Sequence, residues 1–254
     1  LHCRDPLANV FLAVRGLWVK GPVDRRRADL VGFVNGLPLV VMEFERTDHD
    51  IRKAYEDNLA DYKDTVPHLF HHNALVVLAN GIDAKLGAFS SPYRFFREWK
   101  RQTEDEAGRV DMETLLEGVC AKKALLEIVE HFIVFDDSNG DTAKILAQNQ
   151  QVLGVRRAVE AVRNRERLDG KLGVFWHTQG SGKSYSMVFF VRMVHRLLGN
   201  NYTFVVVTDR QDLDTQIYQT FNGCGLADND RDPCRPESGQ ALEAMLRTHK
   251  RVVF

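Results

Sequence analysis

The chain has 254 residues, of which 44% are hydrophobic and 27% charged, and its formal net charge is -1. That length and apolar content suffice for one large domain or two ordinary ones. The charge balance excludes both a disordered polyelectrolyte and a uniformly basic nucleic-acid module, so any nucleic-acid surface must be local.

Taken in chain order, the first elements are two β-rich runs, Leu30 to Val34 and Leu39 to Phe44. Asn35-Gly36 between them supplies positive φ cheaply, which predicts a hairpin. A polar helix is predicted over Asp50 to Lys63, broken before Pro67, and a buried strand over Ala74 to Gly81. Residues 103 to 110 read as a charged loop leading to one helix from Met112 to Glu130. The turn cluster Asp136 to Asp141 marks a domain junction, and Thr142 to Arg165 is predicted helical. Beyond it come a compact strand, Lys171 to Trp176, an apolar helix closed by Gly199, and a second buried strand, Tyr202 to Arg210, which leads to a helix starting near Asp212. The pattern is α/β. No apolar run reaches membrane-spanning length, so the expected location is cytoplasmic with no membrane partner.

The strongest chemical signal is HTQGSGKS, His177 to Ser184, set between the predicted strand and the apolar helix. Glycines there allow backbone N–H groups to point at phosphates, and the following helix contributes its N-terminal dipole. Thr178, Gln179, Gly180, Ser181 and Gly182 would form the cradle, Lys183 would reach the β- and γ-phosphates, and Ser184 would offer its hydroxyl to Mg²⁺. The cofactors expected are therefore ATP and Mg²⁺. Upstream, Gln151 heads an amphipathic helix with an amide that suits an adenine edge, although an exposed helical glutamine is the plainer reading of the residue by itself. Thr208, Asp209 and Arg210 follow the second strand, where they either contact DNA backbone or cap the next helix.

The hairpin carries a second signal. Asp29 and Glu43 are brought toward the same end of it, and two carboxylates there suit a divalent cation that activates water against a phosphodiester. Surface charges at strand ends are the alternative. Arg25, Arg26 and Arg27 immediately precede Asp29, as phosphate contacts or as a solvated basic turn.

The stretch RRRADLVGFVNGLPLVVMEFER resembles the PD-(D/E)XK nuclease core of the R (restriction and motor) subunit of type I restriction endonucleases, and FREWK, Gln151, HTQGSGKS and VVVTDRQDLDTQI follow in that family's order. The resemblance implies a PD-(D/E)XK nuclease-like domain with a helical connector over residues 1–140. It implies the first part of a RecA-like, superfamily 2 helicase, parallel-sheet domain over residues 141–254. It further implies an ATP-dependent translocase and endonuclease acting on double-stranded DNA, with methyltransferase and specificity subunits as partners. Asp29 and Glu43 match its metal-binding carboxylates, Gln151 its adenine-contacting glutamine, and Lys183 and Ser184 its phosphate and Mg²⁺ ligands.

Two positions depart from the pattern. Glu45 occupies the place of the motif lysine, where an acidic group cannot steady the transition-state charge but could add a metal ligand. Asn58 stands four residues before Tyr62 where the family often has Gln, and both are candidate DNA contacts together with Arg210. Weak or absent cleavage is therefore expected. A repair helicase-nuclease outside restriction, or a fragment that binds ATP and DNA without turnover, shares the same motifs.

Overall fold

The computed structural model describes residues 1–199 and 201–254. The chain divides into two compact units, Leu1–Ile133 and Val134–Phe254.

The first unit is built on a mixed five-stranded sheet in the order β1-β2-β3-β4-β5, with β1 Phe11–Lys20, β2 Arg25–Val34, β3 Leu37–Phe44, β4 Leu75–Ala79 and β5 Ala84–Gly87. Asn35 and Gly36 form a two-residue turn with φ of 50° and 81°, and both positive angles match the twist of an antiparallel pair. The expected hairpin is present, but its first strand begins at Arg25 rather than Leu30, so Asp29 lies within the strand. The strand β1 that completes the meander has no clean alternation of apolar and polar residues, and the sequence reading passed over it.

After β3 the chain turns through a π-helical segment, Ala54–Leu59, into α1, Ala60–Thr65, and returns as β4 parallel to β3. Every residue of β4 is buried, as expected of a strand covered on both faces. Val31, Val41, Val76 and Leu78 pack with Leu59 and Tyr62 in one core cluster.

The predicted helix Met112 to Glu130 is two helices, α2 Met112–Val119 and α3 Lys122–His131. Ala121 is extended between them, with φ -55° and ψ 135°. Asp111 caps α2 by accepting from the Thr114 N–H at 2.7 Å.

In the second unit the predicted helix Thr142 to Arg165 begins later. Residues Ala143–Leu146 form β7, paired with β6, Ile133–Asp136, and α4 covers Asn149–Arg163. A turn at Gly140, φ 93°, lets the two short strands pair before the helix starts. The apolar helix α5, Lys183–Leu198, packs on α4 and ends at Gly199 as expected.

Two strand expectations fail here. Lys171 to Trp176 is not a strand: among the described residues it has no strand partner, and Val174 and Trp176 are 93% and 79% exposed. An unpaired extended segment leaves its backbone groups to water. Phe175, though 37% exposed, lays its ring edge against Gly154 of α4. Of Tyr202 to Arg210, only β8, Phe204–Val205, is paired, parallel to β9, Val252–Val253. Val205 and Val207 are exposed, so this is not the buried strand anticipated. The described residues thus hold a mixed sheet and short pairs, and the expected parallel sheet is represented only by β8 and β9. The helix predicted from Asp212 is α6, Gln211–Gly223, and α7 covers Gly239–Leu246.

Leu78 is fully buried at the centre of the first unit's core. Leu78→Ala is expected to lower unfolding stability by about 3 kcal/mol, measured as a reduced urea midpoint with an unchanged slope.

Candidate functional site

Asp29 and Glu43 meet where β2 and β3 part. Regular pairing of these strands begins at Leu30 and Met42. One residue further out, side chains replace the ladder bonds: Glu43 Oε1 accepts from the Asp29 N–H at 3.2 Å, and Asp29 Oδ2 accepts from the Phe44 N–H at 3.0 Å. Each carboxylate therefore anchors the backbone of the opposite strand.

Glu43 is 1% exposed. Its second oxygen accepts from Asn58 Nδ2 at 3.0 Å and from the Tyr62 hydroxyl at 3.2 Å, and Tyr62 also reaches the Arg27 carbonyl at 2.9 Å. Burial, followed by the nearby Asp29 charge, pushes the Glu43 carboxyl up to about 7, against the hydrogen bonds that favour its ionised form. The Tyr62 hydroxyl is raised by the same burial and by Glu43. Asn58 and Tyr62, expected as DNA contacts, thus face inward and orient Glu43. The π-helical segment and α1 put them on one helical face, so the Gln-to-Asn departure still delivers an amide to the carboxylate.

Glu45 lies beyond the end of β3. Its backbone N–H continues the pairing to the Ala79 carbonyl, and its side chain contacts His49 Nδ1 at 3.2 Å. Asp29 and Glu43 bond across the fork while the Glu45 side chain bonds His49, and among the described residues no cluster of three acidic, His or Cys side chains able to hold a metal occurs. The carboxylate pair has donors suited to a divalent cation, yet three of its four oxygens already accept hydrogen bonds.

The loop before α5 has a different character. Gly180 and Gly182 both have φ of 77°, a left-handed conformation that favours glycine. A side chain on Gly180 would meet open space, whereas one on Gly182 would approach Gln151 Nε2 to 2.9 Å. Lys183 Nζ rests on the His177 and Thr178 carbonyls at 2.9 and 3.0 Å, and Ser181 Oγ is buried with no hydrogen-bond partner among the described residues. An ammonium parked on its own loop, an unpartnered hydroxyl and a helix N-terminus fit a bound polyphosphate. Ser184 follows Lys183 in the first turn of α5 and is half-buried.

Gln151 is 3% exposed and engaged at both ends. Its oxygen accepts from the Gln148 N–H at 2.8 Å as part of a capping box, and its Nε2 donates to the Gly182 carbonyl at 2.9 Å. In this arrangement it ties α4 to the loop. Thr178 and Gln179 are exposed in the loop, and Arg210 is exposed at the N-cap of α6.

Sequence reasoning missed Asp136 and Tyr185. The Tyr185 hydroxyl donates to the buried Asp136 carboxylate, which also accepts from the Ser138 N–H, so the residue after Ser184 is fixed to β6. Adjacency of Tyr185 to the loop was the one available signal.

Because the folded Glu43 carboxyl is raised from the ordinary 4.5 to about 7, the native state holds a proton that the unfolded chain has released. The stability from this group is therefore present below pH 4.5 and is lost as pH rises through about 7. About 3 kcal/mol should disappear over that window, read from urea unfolding at a series of pH values, and Glu43→Gln should flatten the profile.

Residues 2–95 match the family model described as the type I restriction enzyme R protein N terminus, and residues 150–254 match that of the SWI2/SNF2 ATPase. The chain is 38% identical to the type I restriction enzyme HindI endonuclease subunit of Haemophilus influenzae, over 84% of this chain and 21% of that protein. It is 29% identical to the MjaIXP endonuclease subunit of Methanocaldococcus jannaschii, over 78% of this chain and 21% of that protein. The chain thus spans about a fifth of the length of these relatives. Among the described residues no helix is long and apolar enough to cross a membrane. The two family matches fall on the carboxylate hairpin and on the glycine loop in that order, and they identify the chain as a member of the type I restriction enzyme R protein family.

Proposed function

We propose that this chain supplies the ATP-binding loop and the nuclease-like domain of a DNA-translocating type I restriction subunit. The observation that carries this reading is the loop at Gly180 to Ser184, with positive-φ glycines opening α5 and Lys183 held, among the described residues, by loop carbonyls. On this reading Lys183 leaves those carbonyls for the β- and γ-phosphates of ATP, and the N–H groups from Gly180 onward face the same anion. Ser184 would hold Mg²⁺, which would supply positive charge against the phosphates. Gln151 fixes the loop through Gly182, and Tyr185 fixes the first turn of α5 through Asp136.

The first unit is proposed to have the PD-(D/E)XK fold and to touch double-stranded DNA, and the second to be the start of a RecA-like motor domain. The proposed domain limits remain 1–140 and 141–254, with methyltransferase and specificity subunits as partners and the cytoplasm as location. Cleavage is proposed to be weak. Glu43 is partly neutral near pH 7, among the described residues no third acidic ligand joins the Asp29 pair, and Glu45 stands where a cation is needed, turned to His49. No cleavage step is therefore assigned to the pair.

Lys183→Ala should weaken binding of a fluorescent ATP analogue by about 10- to 100-fold, the loss of a charge-assisted contact, with the melting temperature unchanged. Equal affinity in the variant would refute the loop assignment. In the complete enzyme, plasmid nicking should be low and should rise in Glu45→Lys; vigorous nicking by the unaltered protein would overturn the reading of Glu45.

A further inference from the structure

The strands β1 and β2 run on past the rest of the sheet. Their pairing continues from Leu17↔Ala28 to Lys20↔Arg25, whereas β3 pairs with β2 only from Leu30 inward. Residues 17–28 are therefore a two-stranded ribbon that projects beyond β3, starting one residue from Asp29.

The two faces of this ribbon differ in chemistry. Ala28 and Val31 lie three residues apart on β2 yet enter the same core cluster, so strict alternation is interrupted at Asp29. Beyond that point Leu17, Val19 and Ala28 pack inward. Arg26 follows them and makes a two-pronged ion pair with Asp61 of α1. The opposite face carries Trp18, Lys20, Arg25 and Arg27, all exposed. Arg25 lies over the Trp18 ring at 4.5 Å, and the register puts Trp18 beside Arg27 and Lys20 beside Arg25. Among the described residues no carboxylate pairs with Lys20, Arg25 or Arg27.

The arginine run is thus divided by the pleat: one residue serves the fold and its two neighbours are left to solvent. We infer that the outer face of this ribbon is a contact surface for the phosphate backbone of duplex DNA, which it leads toward Asp29 and Glu43. Three unpaired cations on one face complement a polyanion, and a two-stranded ribbon has the width of a major groove. Stacking on Trp18 pre-orders the Arg25 guanidinium, so less side-chain entropy is lost when it meets a phosphate. The site rests on the proposal that DNA is this protein's substrate, and it names where the duplex lies.

The test uses the whole chain and a short fluorescein-labelled duplex, with anisotropy measured over a salt series. The unaltered chain is expected to bind. The combined variant Lys20→Gln, Arg25→Gln, Arg27→Gln should bind about tenfold or more weakly near physiological salt, with a plot of log K against log salt shallower by about two to three units. Its melting temperature and its affinity for a fluorescent ATP analogue should not change. Arg26→Gln is the internal control: it should lower the melting temperature through loss of Asp61 and leave the salt slope intact. An unchanged slope and affinity in the triple variant, with binding by the unaltered chain, would overturn the ribbon while leaving DNA as substrate. No binding by the unaltered chain in low salt would overturn the ribbon, and the ATP-analogue measurement separates that result from a failed nucleotide site. A change in salt slope for Arg26→Gln equal to that of the triple variant would also overturn it.

Discussion

The first unit is organised around a carboxylate where no carboxylate is cheaply kept. Glu43 lies fully buried at the fork between β2 and β3, and a lone buried charge would be costly by several kcal/mol. Its oxygens are met by a backbone N–H from β2 and by an amide and a phenol from the helical segment. Those contacts fix the spacing between strand, strand and helix at one point. Asp29 repeats the device in reverse by holding the Phe44 N–H. The two acids hold the corner together from both strands, and removing either disturbs the fork.

The second unit uses a parallel logic with an amide and a second carboxylate. Gln151 and Asp136 are both buried, and each bonds to one side of the Gly182–Tyr185 stretch. Fully satisfied buried polar groups specify an arrangement more sharply than apolar packing does. The glycine loop between them keeps its open side: among the described residues Ser181 Oγ has no partner and Lys183 bonds to its own loop. Rigid flanks and an unsatisfied centre are what anion binding requires.

What the sequence made legible was local. Asn35-Gly36 announced its turn because few residues tolerate two positive φ values, and Gly180 to Ser184 announced a phosphate loop for the same reason. The length of α5 followed from a continuous apolar run with a glycine at its end. Non-local features were not legible. Nothing in KLGVFW distinguishes a strand that has found a partner from one that has not, and Val174 and Trp176 are exposed because no described strand lies beside them. Asn58 and Tyr62 were candidate DNA contacts on the resemblance alone; only the fold reveals that they bond to Glu43. The break between α2 and α3 depends on an extended Ala121, which helix propensity would not suggest.

The three tryptophans sit in three unlike settings. Trp99 is buried in the first unit, Trp18 lies under a guanidinium on the outer ribbon face, and Trp176 is exposed immediately before the glycine loop. Indole emission shifts with hydration, so the protein carries its own optical channels. A blue, slowly quenched component reports the integrity of the first core, and a red, readily quenched one reports the approach to the phosphate loop. Single replacements by Phe would separate the channels without adding any label, and opening of either unit could then be followed by itself in the intact chain.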